Sequence, residues 1–326
     1  MVTQMKYEEV VAQDKRFEWE TAHLLGIGAS QIAAVLGEHP YVSRLKVWAE
    51  KTGRLEPADF SDNEAVQMGI RLEPFVAEEY ERRTGRVVDR CGVLLRSLAH
   101  PWAICTPDYW VMNAYGEWVI PCQIKTTSTF RLKDWADGPP PAVWWQVQHE
   151  MLVTDAPWAT VGVLVGGQKF MWADVQRDDE AIQRIIKEGS AFWQKVIHDE
   201  YPDLDGAADT GAVLATLFPV SNAGEHLALP VDAVAWDIEI QNLKAQRSAI
   251  QESIDQRENQ LKQAIGDAEA GILHDGSGAY TYKSQSRWSY SLAPGQIKPD
   301  HDGEEITAIA RQTNFRVLRR TERTEE

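Results

Sequence analysis

The sequence predicts an α/β fold, a mixed central sheet flanked by helices, with a helical and β appendage at its C-terminal end. Three observations carry that expectation. Helical periodicity and short strand-like runs follow one another in the order helix, strands, helix, strands, which builds a layered sandwich. The chain has 326 residues, 44% of them hydrophobic, enough for a sizeable core in one large domain with an appendage or in two. Turn residues at Asn113-Ala114-Tyr115-Gly116 separate two strand-like runs at the centre of the chain. The expected division is a core over 1–205, a linker over 206–230, a long helical arm over 231–275 and a small basic β tail over 276–326.

Composition removes several classes. No stretch of about 18 consecutive apolar residues exists, and Met1 to Lys15 is charged without an apolar run, so neither a membrane span nor a signal peptide is expected and the chain is placed in the cytoplasm. Cys91, Cys105 and Cys122 are odd in number and lack C-x-x-C spacing, which points to reduced, buried thiols and away from a disulfide framework or a zinc site. The net charge of -16 argues against nonspecific whole-surface binding of nucleic acid, yet it leaves room for a local groove. Acidic residues crowd into Asp174 to Asp209, whereas Lys125, Arg131 and Lys133 lie together elsewhere.

In chain order, Glu18 to Leu25 reads as a helix or its approach. Gly26-Ile27-Gly28-Ala29-Ser30 leads into a helical run from Gln31 to Leu36, closed by Gly37. Ser30 is placed to cap that run, and a helix start behind small residues also suits a phosphate; both readings stand. Ser43 reads as the cap of a helix from Leu45 to Gly53. From Asn63 to Gly85, Val66, Gly69, Ile70, Glu73, Val76, Ala77 and Tyr80 recur at three and four residues, so Glu73 falls on or beside a buried stripe. A carboxylate there needs a metal or a salt bridge, with Arg71 and Arg82 as the available partners.

Thr106-Pro107-Asp108-Tyr109-Trp110 and Glu117 to Ile124 read as the arms of a hairpin. Pro107 cannot donate to a ladder, which frees Asp108 to leave the pleat. Alternation puts Gln123 and Lys125 on one face and Ile124 on the other, toward a core. An acid beside a polar-x-Lys pair can hold Mg²⁺ against a phosphate while the lysine favours the nucleophile and the developing charge; a solvated hairpin is the plainer reading. Beyond it, Pro141 opens a helix in which Gln146 and Glu150 share a face, with Gln146 free to bond a substrate, a ligand carboxylate or a backbone group. Strands over 159–165 and 169–175 and an amphipathic helix over 180–198 complete the core. A long helix over 231–265, packed on the core as an arm, and strands over 280–288 and 314–320 follow. Lys283, Arg287, Arg316, Arg319 and Arg320 make that tail the most basic part of the chain, as a DNA contact or a solvated face.

Asp108 followed by Gln123-Ile124-Lys125 resembles the core of PD-(D/E)xK nucleases, an Asp on one strand and Glu-x-Lys on the next. With Gly28-Ala29-Ser30, Met68-Gly69 to Glu73, Thr126-Thr127 and Gln146-Val147-Gln148-His149-Glu150-Met151 in the same order, the chain to about Tyr201 resembles lambda-exonuclease-type proteins of the YqaJ viral recombinase group. The resemblance implies a restriction-endonuclease-like core and an exonuclease, dependent on Mg²⁺ with Mn²⁺ as a substitute, that degrades one strand of linear double-stranded DNA 5′ to 3′. It further implies a homotrimeric ring and a single-strand annealing protein as partner, in a phage or prophage setting. Carried over by position, Asp108, Gln123, the Ile124 carbonyl and Glu73 would hold metal, Lys125 would position the attacking water, Gln146 would assist, and Ser30 would contact a terminal 5′-phosphate. His23 stands where the family commonly has arginine, so a charge for the phosphate comes from His23 when protonated or from elsewhere, Arg131 or Arg71. Gln123 stands where the family has Glu; losing that anion is expected to impair the site, and a size-preserving Glu-to-Gln change is read as engineered in preference to natural divergence. A noncatalytic DNA-end-binding protein and a structure-selective endonuclease on the same core are the alternatives.

Overall fold

The structure is a computed structural model describing residues 6–57, 59–207, 209–292 and 308–322. Contacts divide the chain into two units, residues 1–223 and 224–326.

The first unit opens with β1 (Tyr7–Ala12), α1 (Arg16–Leu24), β2 (Ile27–Gly28), a 3₁₀ turn (Ala29–Gln31) and α2 (Ile32–Val35). Next come α3 (Arg44–Lys51), α4 (Glu64–Thr84), β3 (Val88–Arg90), β4 (Val93–Ser97), β5 (Ala103–Cys105), β6 (Tyr109–Met112) and β7 (Trp118–Thr127). After a second 3₁₀ turn (Thr129–Trp135) the unit ends with α5 (Pro141–Thr154), β8 (Trp158–Val165), β9 (Lys169–Gln176), α6 (Asp179–Ile197) and α7 (Thr210–Leu217). A five-stranded mixed sheet in the order β3-β6-β7-β8-β9 is its centre, and a four-stranded sheet in the order β1-β4-β5-β2 is its second layer. Only β7 with β8 and β2 with β5 run parallel among the described pairings, so the α/β class expected from the sequence is the one observed.

The hairpin forms where turn chemistry put it. Asn113 Oδ1 accepts hydrogen bonds from the Tyr115 and Glu117 amides at 2.9 and 3.0 Å, and Gly116 supplies the positive φ of 79° that the reversal requires. Alternation along β7 then sorts its side chains. Ile120, Cys122 and Ile124 pack with Val76, Ala77 and Tyr80 of α4, while buried Gln123 hydrogen-bonds to Glu150 on α5 across the opposite face. The strand is thus covered on both sides, and its polar residues at 123 and 125 point where a helix can meet them.

Two contacts fix α4 on the sheet. The buried Tyr80 hydroxyl donates to Thr160 Oγ1 at 3.1 Å and accepts from Arg86, whose guanidinium grips Asp174 in two hydrogen bonds of 2.6 and 2.7 Å. Farther up the helix, a Cβ at Gly69 would lie 3.2 Å from Thr126 Oγ1, so a glycine there lets α4 run close past the end of β7. The stripe read from the sequence is buried only in part. Val76, Ala77 and Tyr80 are buried, whereas Val66 and Ile70 of the same stripe are exposed, as are Met68 and Phe75 off it.

The chain also departs from expectation beyond the core. Within 206–230, expected as a linker with a short apolar turn near Leu214 to Phe218, the apolar segment forms α7, whose Val213 is buried and whose Leu214 and Leu217 pack on the main core. All three cysteines are buried and free. No described helix is long and apolar enough to cross a membrane.

The second unit holds α8 (Ala233–Ile265), β10 (Ala270–Ile272), β11 (Gly278–Leu292) and β12 (Ala308–Glu322), the strands forming an antiparallel sheet in the order β10-β11-β12. The two long strands exceed the predicted spans because residues 278–292 pair with 322–308 over their whole length. Along α8, expected as an arm packed on the core, Ile240, Leu243, Ile250 and Ile254 are exposed. Arg316 is not a free cation of the tail: it hydrogen-bonds the Tyr282, Gly266 and Ala268 carbonyls and lies over the Tyr282 ring.

Candidate active site

The site lies where the ladder between β6 and β7 stops. Tyr109 pairs with Cys122, and β6 has no residue before Tyr109 to continue the pairing. Asp108 fills the vacancy with its side chain: Oδ2 accepts a hydrogen bond of 2.8 Å from the Ile124 amide. The N–H and C=O of one strand residue point the same way, so the Ile124 carbonyl faces this open edge too. Buried Pro107 directly precedes Asp108 and bars a regular strand there, as its missing donor predicts.

Four elements converge on that edge. A cleft of about 300 Å³ is lined by Asp108, Lys125 of β7, Glu73 of α4 and Gln146 of α5, together with Trp19, His23, Ser30 and Arg90. Lys125 Nζ lies 3.8 Å from Asp108 Oδ2 and donates to Gln123 Oε1 at 2.7 Å. Gln123 is fully buried, and its Nε2 donates in turn to Glu150 Oε1 at 2.8 Å. Gln146 Nε2 donates to the same oxygen at 3.1 Å. The row Lys125, Gln123, Glu150, Gln146 is therefore continuous, with its two ends in the cleft and its middle pair buried.

Burial sets the electrostatics. Glu73 is half-buried, and its pKa is raised first by that burial and then by the Asp108 charge, with Arg90 and Lys125 opposing. Neither salt bridge considered for it forms. Arg82 binds Glu79 at 2.7 Å, Arg71 is exposed, and the Glu73 carboxylate has no hydrogen bond or ion pair among the described residues. Glu150, wholly buried, is pushed up to about 8 by burial and by Asp108, while Lys125 and the two glutamine amides pull the other way. Its Oε2 has no hydrogen-bond partner among the described residues.

The residues expected to meet a terminal phosphate are placed unevenly. Ser30 is exposed in the cleft, inside the 3₁₀ turn; it caps no helix, since the Gln31 side chain takes the Gly28 amide at 3.1 Å instead. Ser43, by contrast, caps α3 as expected, accepting from the Lys46 amide at 3.2 Å. His23 lines the cleft, but burial first and Lys51 second hold its pKa down at about 4, so it carries no charge at neutral pH. The Trp19 ring packs against it at a tilt of 47°, with centroids 4.3 Å apart. Arg131 lies outside the cleft, tied to the Tyr41 hydroxyl and, at 3.1 Å, to Asp134. Besides Lys125, the cation that lines it is exposed Arg90, which reasoning from the sequence passed over because it ends a short strand and joins the others only through the pairing of β3 with β6.

Comparison with known proteins now decides the family. Residues 18–157 match the YqaJ-like viral recombinase domain. A curated relative, the uncharacterised protein YqaJ of Bacillus subtilis (strain 168), is 32% identical over 275 residues, which is 82% of this chain and 85% of that one. The chain belongs to the YqaJ-like viral recombinase family. The segment matched to this family holds every cleft residue named above, from Trp19 to Gln146, and also Glu150. Among solved structures, an alkaline exonuclease from Laribacter hongkongensis aligns with a TM-score of 0.48 at 24% identity, covering 56% of this chain and 93% of that one. A phage-related exonuclease from Haemophilus somnus aligns with a TM-score of 0.39 at 15% identity, covering 56% and 99%.

The depressed His23 has a measurable consequence. Its folded pKa of about 4 lies below the unfolded value of about 6.5, so the unfolded chain binds the extra proton between them. The stability contributed by neutral His23 is complete above about pH 6.5 and is lost as the pH falls toward 4. An NMR titration of the His23 ring is expected to show a midpoint near 4; one near 6.5 would place the ring in water instead.

Proposed function

We propose that this recombinase-family chain is an exodeoxyribonuclease that digests one strand of linear double-stranded DNA from 5′ to 3′ with the help of Mg²⁺, acting in phage-type homologous recombination in the host cytoplasm. The observation that carries the reading is the meeting of Asp108, Glu73 and Lys125 in one cleft at the broken end of the β6-β7 ladder. Among the described residues no three His, Cys, Asp or Glu side chains are gathered closely enough to hold an ion by themselves. A Mg²⁺ here would rest on Asp108, Glu73, the Ile124 carbonyl and water, and Mn²⁺ would accept the same oxygens. The unengaged Glu73 carboxylate and the outward Ile124 carbonyl are hard oxygens that fit such an ion. When bound, it would offset phosphate charge and favour ionisation of a water. Lys125, held by Gln123, is positioned to steer that water and to stabilise charge on the reacting phosphate.

Two outcomes test the reading against its alternatives. Lys125→Ala should lower digestion of linear duplex by about 100–1000-fold, the scale of losing one preorganised donor of positive charge. Closed circular duplex should survive; its cleavage would favour a structure-selective endonuclease, and tight end binding without any digestion would favour a noncatalytic end binder.

End recognition rests on Ser30 and Arg90. Because His23 is neutral, preference for a 5′-phosphate over a 5′-hydroxyl end should not change between pH 6 and pH 8, and Arg90→Ala should reduce it. A preference that grows at pH 6 would return the role to His23.

Assembly as a homotrimer, working beside a single-strand annealing protein, suits a chain whose α4 exposes Val66, Met68, Ile70 and Phe75. Light scattering should give the mass of three chains, increasing when an annealing protein is added; a monomer at micromolar concentration rejects the ring.

A further inference from the structure

The amide at position 123 is not an isolated replacement, because both of its ends are engaged. A lysine ammonium has only hydrogens to offer, so the atom of residue 123 that meets Lys125 must be an acceptor. Between Lys125 at 2.7 Å and Glu150 at 2.8 Å, the Gln123 amide has one satisfactory orientation, oxygen toward Lys125 and nitrogen toward Glu150. Glu150 is the one acid of the row on α5, fully buried, with a second glutamine, Gln146, donating to the same oxygen at 3.1 Å and its other oxygen unpartnered among the described residues. A buried carboxylate so expensive to keep has no ion pair there to explain it.

We propose that Glu150 is a positioning residue of the site: it holds Gln123 so that the amide oxygen faces Lys125, and it supplies from α5 the carboxyl group that the strand position lacks. This rests on the nuclease reading above. Gln123 and Glu150 then form one unit in which acid and amide have changed places, and Gln123 belongs to a working site rather than disabling it. A glutamate at 123 would set a second carboxylate about 2.8 Å from Glu150 Oε1, where two like charges cannot both be kept.

The test uses the full chain in four forms besides the unmodified one, with Mn²⁺ alone as the probe, followed by calorimetry, and with thermal unfolding and linear-duplex digestion alongside. Glu150→Gln is expected to weaken Mn²⁺ binding by about 10–100-fold, the scale of losing an outer partner of a metal site. Gln123→Glu alone should bind Mn²⁺ no better and unfold at lower temperature. Gln123→Glu with Glu150→Gln together should return Mn²⁺ binding and digestion to within a few-fold of the unmodified protein, including where the single Gln123→Glu change does not fold. Rescue by exchange is the outcome that a merely structural Glu150 would not produce. Unchanged Mn²⁺ affinity in Glu150→Gln, or tighter binding and faster digestion in Gln123→Glu with Glu150 intact, overturns the pairing. Asp108→Asn separates the failures. Binding lost there and kept in Glu150→Gln sinks the pairing alone, whereas unchanged binding in both removes the metal centre and this proposal with it.

Discussion

The hydrogen bond from the Ile124 amide to the Asp108 carboxylate is the contact on which the site depends. It lets a side chain stand in for the strand that has ended, so the same feature that satisfies β7 also brings a carboxylate to its exposed edge. Everything else is arranged about that edge. α4 and α5 cover the two faces of β7 and cannot cover its side, which leaves the cleft as the place where the backbone of a central strand meets the solvent.

Burial of charge is the second constraint. Asp108 raises the pKa of both Glu73 and buried Glu150, and among the described charges Lys125 opposes it at both and Arg90 at Glu73. A chain with a net charge of -16 therefore concentrates its few relevant cations where they matter, and the overall sign of the protein says little about this spot.

Much of the frame was legible in the sequence because it is written in short-range chemistry. Asn113 and Gly116 announce the turn, Pro107 the break before Asp108, and the alternation of Gln123, Ile124 and Lys125 their opposite faces. What was hidden depends on distant partners. The meaning of Gln123 changes once Glu150, 27 positions away, is seen to hold its amide. His23 looked like a titrating cation until its burial beside Trp19 and Lys51 was visible. Arg90 is anonymous in the sequence and reaches the cleft through strand pairing, and α7 is a weak helix signal that becomes definite only when Val213 finds the core.

The 3₁₀ turn carries a division of labour. Gln31 takes the backbone amide of Gly28, so the neighbouring Ser30 hydroxyl, exposed and without a hydrogen bond among the described residues, does nothing for the fold. Two adjacent positions are thus under different rules. Position 31 is tied to the architecture, whereas position 30 can change without disturbing folding, which leaves the cleft-facing side of this turn free to vary independently of stability.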